Sequence, residues 1–185
     1  FYRFLKKLNT TVLTKEIDHR THEPIFDGGF YKGSEAAGAG SRFSTAELFH
    51  RQLATSAQWS KPYAVIPAGG ISTPQQVQYY LDQGALAVCV GSLFAATVES
   101  CVSDETKQAI IRGNSDDLKR FSDHGQQGLI SRDEPGQEEN HTASLLVGVA
   151  GDLDQGHIYV GTGIDHIDKI LPVADVVEYL TTSLS

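Results

Sequence analysis

From Tyr63 to Glu99 the chain reads YAVIPAGGISTPQQVQYYLDQGALAVCVGSLFAATVE, a strand, a glycine turn and a helix, followed by the same three elements again. The apolar run from Tyr63 to Ala68 follows Pro62, is too short for a helix, and fits a strand buried on both faces. Gly69 and Gly70 end it. Thr73 can cap the helix that follows, Pro74 suits its first position, and Gln76 can complete a capping box. Val77, Tyr80 and Leu81 recur at helical spacing, and Gly84 stops the helix. Leu86 to Val90 reads as a second buried strand, closed by Gly91 and Ser92. The strand starts lie 23 residues apart, the spacing of a βαβ unit in a parallel sheet.

Both glycine turns fall at the C-terminal ends of parallel strands, where α/β folds bind ligands. Glycine lets the backbone approach a ligand closely and leaves N–H groups available. A helix N-terminus behind the turn adds a dipole that favours an anion. A single such turn is adequately explained as a tight turn. Two on successive strands favour a phosphate cradle made by Gly69, Gly70, Gly91 and Ser92.

Working outward, the N-terminal Phe1, Phe4, Leu5 and Leu8 share one face of a short basic helix, and Thr10 to Ile17 reads as a strand. His19 and His22 lie in a polar loop with no clear third ligand and read as solvated rather than metal-binding. Asp27 to Lys32 is a further strand, followed by the glycine-rich GSEAAGAG of residues 33–40. There Glu35 is either a catalytic acid or base or an acceptor that fixes the loop, and the second is the better reading of the residues alone. Ser44 or Thr45 caps a helix to about Ala57, and Trp59 closes its packing against the Tyr63 strand. His50 is read as peripheral, and Cys89 as a small buried hydrophobe. After Val90 come a short helix from Leu93 to Val98 and another, capped at Ser103 or Asp104, through Ile111. Asn114 to Asn140 is polar without a sustained period. Thr142 to Ala150 is a helix or strand, and a final amphipathic helix follows Pro172, with Val173, Val176, Val177 and Leu180 inward.

The 185 residues suffice for a single domain spanning 1–185 with a sizeable core. No apolar run approaches membrane-spanning length, and no signal peptide is read at the N-terminus. A net charge of −8 argues against nucleic acid. Two cysteines without a metal or redox spacing point to the cytosol, the expected location being cytoplasmic. The chain starts at Phe1 and contains no methionine, which suggests a shortened or processed chain, or methionines lost from the written sequence. Four parallel strands with helices between them fit the second half of a (β/α)₈ TIM barrel.

Four blocks carry a resemblance: FDGGFYKGSEAAGAGS, VIPAGGI, GALAVCVGSLFAATVES and GHIYVGTGIDHIDKILPVADVVEYL. In order and approximate spacing they resemble the C-terminal half of the nitronate monooxygenase (2-nitropropane dioxygenase) family, which includes the type II enoyl-carrier-protein reductases. The resemblance implies a TIM barrel holding FMN, with the phosphate on backbone N–H groups matching Gly69, Gly70, Gly91 and Ser92, and Gly38 near the flavin. It implies oxidation of a nitronate with molecular oxygen, or reduction of an enoyl thioester with a nicotinamide cofactor. The family's usual histidine falls on Ala39, which cannot act as a base, leaving Glu35, His19 or His22 as substitutes and the catalytic residue unassigned. The barrel's first half would come from another chain, a second copy, or residues lost from the written chain. Two other readings stay open: a flavin-free phosphate-binding barrel enzyme, and a non-catalytic half-barrel that acts as an assembly partner.

Overall fold

The computed structural model describes residues 24, 26–121, 126–129, 141–182 and 184. The expected helix over residues 1–8, the strand over 10–17, the loop with His19 and His22, and much of the 114–140 segment lie outside those residues.

The first strand, β1 (Gly28–Lys32), lies parallel to β2 (Ala64–Ala68), in register from Gly28 opposite Ala64 to Lys32 opposite Ala68. The helix α1 (Thr45–Ser56) connects them, and the Ser44 hydroxyl accepts the Glu47 N–H at 3.1 Å. Such a cap contributes about 1 kcal/mol. Phe49 turns inward from α1, is fully buried, and meets Tyr80 edge-on at 5.2 Å between ring centroids. Trp59 packs edge-on against Tyr63 at 4.7 Å, closing the helix–strand corner as its position suggested.

The helix α2 (Pro74–Asp82) starts with the capping box that TPQQ encodes. It ends at Gly84, whose φ of +95° favours glycine. Beyond it, the expected strand from Leu86 to Val90 is reduced to one parallel bridge between Cys89 and Ala68. Leu86 is 69% exposed and Cys89 only half-buried, so neither is the buried hydrophobe expected. This segment touches β2 on one side, and no described residue pairs with its other edge.

The remainder packs below and around this corner. The helix α3 (Ser92–Ala95) is shorter than expected, because the Thr97 hydroxyl takes the Phe94 carbonyl at 2.8 Å and Thr97 turns to bridge Leu171. The helix α4 (Asp104–Arg112) is capped by Ser103. In the polar segment that showed no period, a 3₁₀ turn (Ser115–Asp117) precedes an antiparallel pair, β3 (Lys119–Phe121) and β4 (Gln126–Gly128). The helix α5 (His141–Val149) settles the helix-or-strand alternative in favour of helix. A second 3₁₀ turn (Thr162–His166) leads to the last helix, α6 (Val173–Thr181). The Glu99 carboxylate accepts the Val173 N–H at 2.9 Å and so anchors the start of α6. Val176 and Leu180 face the core, but Val177 is 47% exposed, contrary to its inward assignment. Phe49, Val65, Ile110, Val160, Ile164 and Val176 belong to one continuous core. No helix among the described residues is long and apolar enough to cross a membrane.

Candidate functional site

The ends of β1, β2 and the Cys89 segment carry three turns that lean against each other. The first is the loop of residues 33–40. Its Glu35 carboxylate accepts the Thr45 N–H at 2.8 Å and lies within reach of the Thr45 and Ser34 hydroxyls, at 3.0 and 3.1 Å. Thr45 N–H is one of the unpaired donors at the start of α1, so Glu35 supplies the negative charge that a helix N-terminus favours. The buried Thr45 hydroxyl also lies 3.0 Å from the Gly69 carbonyl, tying this loop to the second turn. These contacts are those of an acceptor that fixes the loop.

The second turn is Gly69-Gly70. Both residues have positive φ, +112° and +70°. A Cβ on Gly69 would lie 2.8 Å from the Ala36 nitrogen, so glycine is needed here for backbone contact as well as conformation. Behind this turn the expected role of α2 changes. The Gln76 side chain accepts the Ser72 and Thr73 N–H groups at 2.8 and 3.0 Å, so the helix caps itself. The Gly69 N–H lies on the Cys89 side of β2, where Ala68 and Cys89 form their parallel bridge, while the Gly70 N–H meets no acceptor among the described residues.

The third turn is Gly91-Ser92. Gly91 has φ −120°, and a Cβ there would meet nothing within 4 Å. Ser92 Oγ accepts the Gly161 N–H at 2.8 Å, which brings in a fourth, glycine-bearing turn, Gly161 to Gly163. Gly161 nests against the first loop: its Cβ would lie 2.2 Å from the Glu35 carbonyl oxygen.

These turns enclose a cavity of about 340 Å³, within the usual span for small-molecule sites. Gly69, Gly70, Gly91 and Ser92 all line it. Gly38 does not line it. Its φ is +61°, and its N–H and carbonyl pair with Gln127 at 2.8 and 3.0 Å, while its neighbours Ala36 and Ala37 face the cavity. Ala39 is exposed and lies outside the lining. Phe30, Ile71, Cys89, Gly161, Gly163 and Lys32 complete the wall. The sequence reading missed Lys32 and the two glycines of the fourth turn. The available signal for the glycines was the recurrence of a short apolar run followed by glycine at residues 157–163.

Among the described residues, Lys32 is the one permanently charged side chain in the lining. Its ammonium donates to the Ala37 carbonyl at 2.7 Å, which holds it beside the loop. A chain with net charge −8 therefore presents a cavity of unmatched N–H dipoles and one cation. That combination attracts an anionic ligand. Among the described residues, no group of three or more His, Cys, Asp or Glu side chains is placed to hold a metal ion.

The family model for nitronate monooxygenase matches residues 30–131, more than half of the chain and the whole of the first three turns. The chain belongs to the nitronate monooxygenase family. Similar solved structures include FabK from Thermotoga maritima, at 27% identity and TM-score 0.78, covering 97% of this chain and 62% of that one. Nitroalkane oxidase from Streptomyces ansochromogenes is similar in fold at 21% identity and TM-score 0.77, covering 99% of this chain and 60% of that one. The enoyl reductase domain of MlnA, from the macrolactin biosynthesis cluster of Bacillus amyloliquefaciens, shares the fold more loosely, at 12% identity and TM-score 0.60, covering 78% of this chain and 51% of that one. The chain thus spans about three fifths of the length of FabK and of nitroalkane oxidase. No curated protein matches it.

Proposed function

We propose that this family member is an FMN-dependent oxidoreductase, and that residues 1–185 form one domain, the C-terminal part of a (β/α)₈ barrel. The observation that supports the reading is the convergence of Gly69, Gly70, Gly91 and Ser92 on one cavity, where the N–H groups of Gly70, Gly91 and Ser92 meet no acceptor among the described residues. A terminal phosphate fits that donor set. Gly91 leaves room where a methyl group would otherwise intrude, and the Ser92 hydroxyl keeps its own hydrogen while accepting from Gly161. When bound, FMN supplies the electron-transfer chemistry. The chain's own residues bind and orient it: the two turns hold the phosphate, Phe30 and Ile71 supply apolar wall, and Lys32 supplies positive charge.

The half-barrel reading is supported by the edge at residues 86–90, with which no described residue pairs. Beside it, Phe30, Leu81, Leu86, Val88, Val177 and Leu184 line an open apolar groove of about 550 Å³. A second chain, a second copy or a further segment would cover it. The setting proposed is cytoplasmic, the substrate a small molecule, and the second reactant molecular oxygen or a nicotinamide cofactor.

The test is a pair of binding titrations, of FMN and of riboflavin, on the protein in its full natural length. Binding through the phosphate predicts at least about a hundredfold preference for FMN, equivalent to about 2.8 kcal/mol. Equal binding of the two would refute the cradle. Failure to bind any flavin, together with stabilisation by a sugar phosphate or nucleotide, would select the flavin-free alternative.

One observation favours a second reading, a non-catalytic assembly partner. Among the described residues, Cys89 and Lys32 are the only titratable side chains in the lining, Glu35 is held at the start of α1, and Ala39 occupies the position where the family's histidine is expected. Flavin binding without turnover of any nitronate or enoyl thioester would choose that reading.

A further inference from the structure

Ser72 is 1% exposed, and its hydroxyl meets no hydrogen-bond partner among the described residues. Buried polar groups are, with few exceptions, bonded to protein, ligand or ordered water. The Ser72 backbone has its partner: the N–H donates to the Gln76 side chain at 2.8 Å. The hydroxyl takes no part in the capping box, which Thr73 and Gln76 make between them.

The hydroxyl lies beside the cavity wall. A Cβ on Gly163 would lie 3.2 Å from Ser72 Cβ and 3.3 Å from Ser72 Oγ, so the serine occupies the flank where Gly163 has no side chain. Gly163, Gly70 and Ile71 line the cavity, and Ser72 itself is not in the lining. Gly163 also carries an N–H without a partner. On either side of it, the Gly161 N–H donates to Ser92 Oγ at 2.8 Å, the Thr162 N–H to the Glu35 carbonyl at 3.0 Å, and the Ile164 N–H to the Gly161 carbonyl at 3.1 Å. The Gly163 N–H meets no acceptor among the described residues. Two unpartnered donors therefore meet at one wall residue, beside the turn that carries the Gly70 N–H.

Ser72 stands too far back to touch a ligand itself, but a water can reach both sides of Gly163. It accepts from the Ser72 O–H and the Gly163 N–H, and both of its own hydrogens remain for acceptors in the cavity. A buried water needs roughly two to four polar partners, and an anion's oxygen completes that set. We infer that Ser72 is a positioning residue of the anion site, acting through a water that its hydroxyl and the Gly163 N–H hold against the bound phosphate. The inference rests on the phosphate-cradle reading above. It does not need the flavin, because any phosphate seated between Gly70 and Ser92 meets the same water.

The experiment compares wild type with Ser72→Ala in the full natural chain. The substitution removes one oxygen, adds no bulk, and leaves the backbone bond to Gln76 in place. Affinities for FMN, riboflavin and inorganic phosphate are read, together with the ligand-free melting midpoint. FMN and inorganic phosphate should each bind about tenfold more weakly, the scale of one lost bond to a charged group. Riboflavin should stay within about twofold, and the melting midpoint should not fall, because no protein group loses a protein partner. Crystals of the wild type soaked in inorganic phosphate should show a water bonded to Ser72 Oγ, the Gly163 nitrogen and a phosphate oxygen. An FMN to riboflavin ratio that Ser72→Ala leaves unchanged overturns the proposal, as does a bound phosphate with no such water. An equal loss of both ligands with a lowered midpoint also overturns it and makes Ser72 a packing residue. These outcomes leave the cradle intact, whereas a wild type that binds FMN no better than riboflavin and ignores inorganic phosphate removes the cradle and this inference together.

Discussion

The Gly69-Gly70 turn and the Gly91-Ser92 turn read alike in the sequence, each a glycine closing an apolar run, yet the fold uses them differently. At Gly69 the backbone has φ +112° and an added Cβ would collide with the Ala36 backbone. At Gly91 φ is −120° and an added Cβ would meet nothing within 4 Å. The first turn needs glycine for folding. At the second, neither conformation nor packing demands it, so the open space on its flank is what a substitution would fill. Two identical-looking features thus separate into one that builds the cavity and one that keeps it clear.

The difference is most severely tested by Gly69→Ala. The variant forces a side chain into a left-handed conformation and against backbone that cannot rotate away. Strain and overpacking together should cost roughly 3 kcal/mol of stability, read from chemical denaturation. A loss below about 1 kcal/mol would mean that the first loop yields, and the contrast between the turns would collapse. Gly91→Ala should act in the opposite sense. Its stability should stay within about 0.5 kcal/mol of wild type. FMN affinity should fall at least about tenfold, because a methyl group occupies the ligand's space. Titration and melting on the same preparation check both halves of that expectation.

What was legible in the chain was local. Thr73 and Gln76 encode their capping box within four residues, and Ser44 and Ser103 cap the helices that follow them. The glycine turns that line the cavity were likewise visible from the apolar runs that precede them. What was illegible depends on partners far along the chain. Leu86 to Val90 has the composition of a strand buried on both faces, but burial requires a neighbour on each edge, and no described residue supplies the outer one. Gly161 belongs to the site through a bond to Ser92, 69 residues away. Lys32 was legible only as the last residue of a strand, and the pairing of that strand with β2 is what puts it in the cavity wall. The dipole of α2 was expected to face the ligand, but Gln76 folds back over it, an outcome that the same capping box already contained.

The first loop offers a milder test of the same contrast. Glu35→Gln keeps a carbonyl acceptor for the Thr45 N–H but removes the charge at the start of α1. Stability should fall by about 1 kcal/mol, the scale of a charge at a helix N-terminus together with a weakened hydrogen bond. Flavin affinity should change little. If Glu35 were instead the general base, turnover would fall by orders of magnitude with stability intact, and the loop-fixing role would be wrong.

The smallest expected effect concerns Tyr80, which packs behind the first pair of turns against Phe49. Burial, and secondarily the nearby Glu35 charge, push its phenol up to about 12. The unfolded chain ionises tyrosine near pH 10. The shift favours the neutral phenol in the fold, so its contribution is complete below about pH 10 and is lost as pH rises from there toward 12. Tyr31 is raised in the same direction by burial and by its 2.9 Å hydrogen bond to Tyr63, so Tyr80→Phe should reduce the alkaline loss without abolishing it. Denaturation midpoints between pH 9 and 12 provide the measurement. An unchanged slope in Tyr80→Phe would mean that water reaches the phenol, and hence that the packing behind Gly69 and Gly70 is looser than the rigid turn requires. The cavity would then have two yielding walls instead of one fixed and one open.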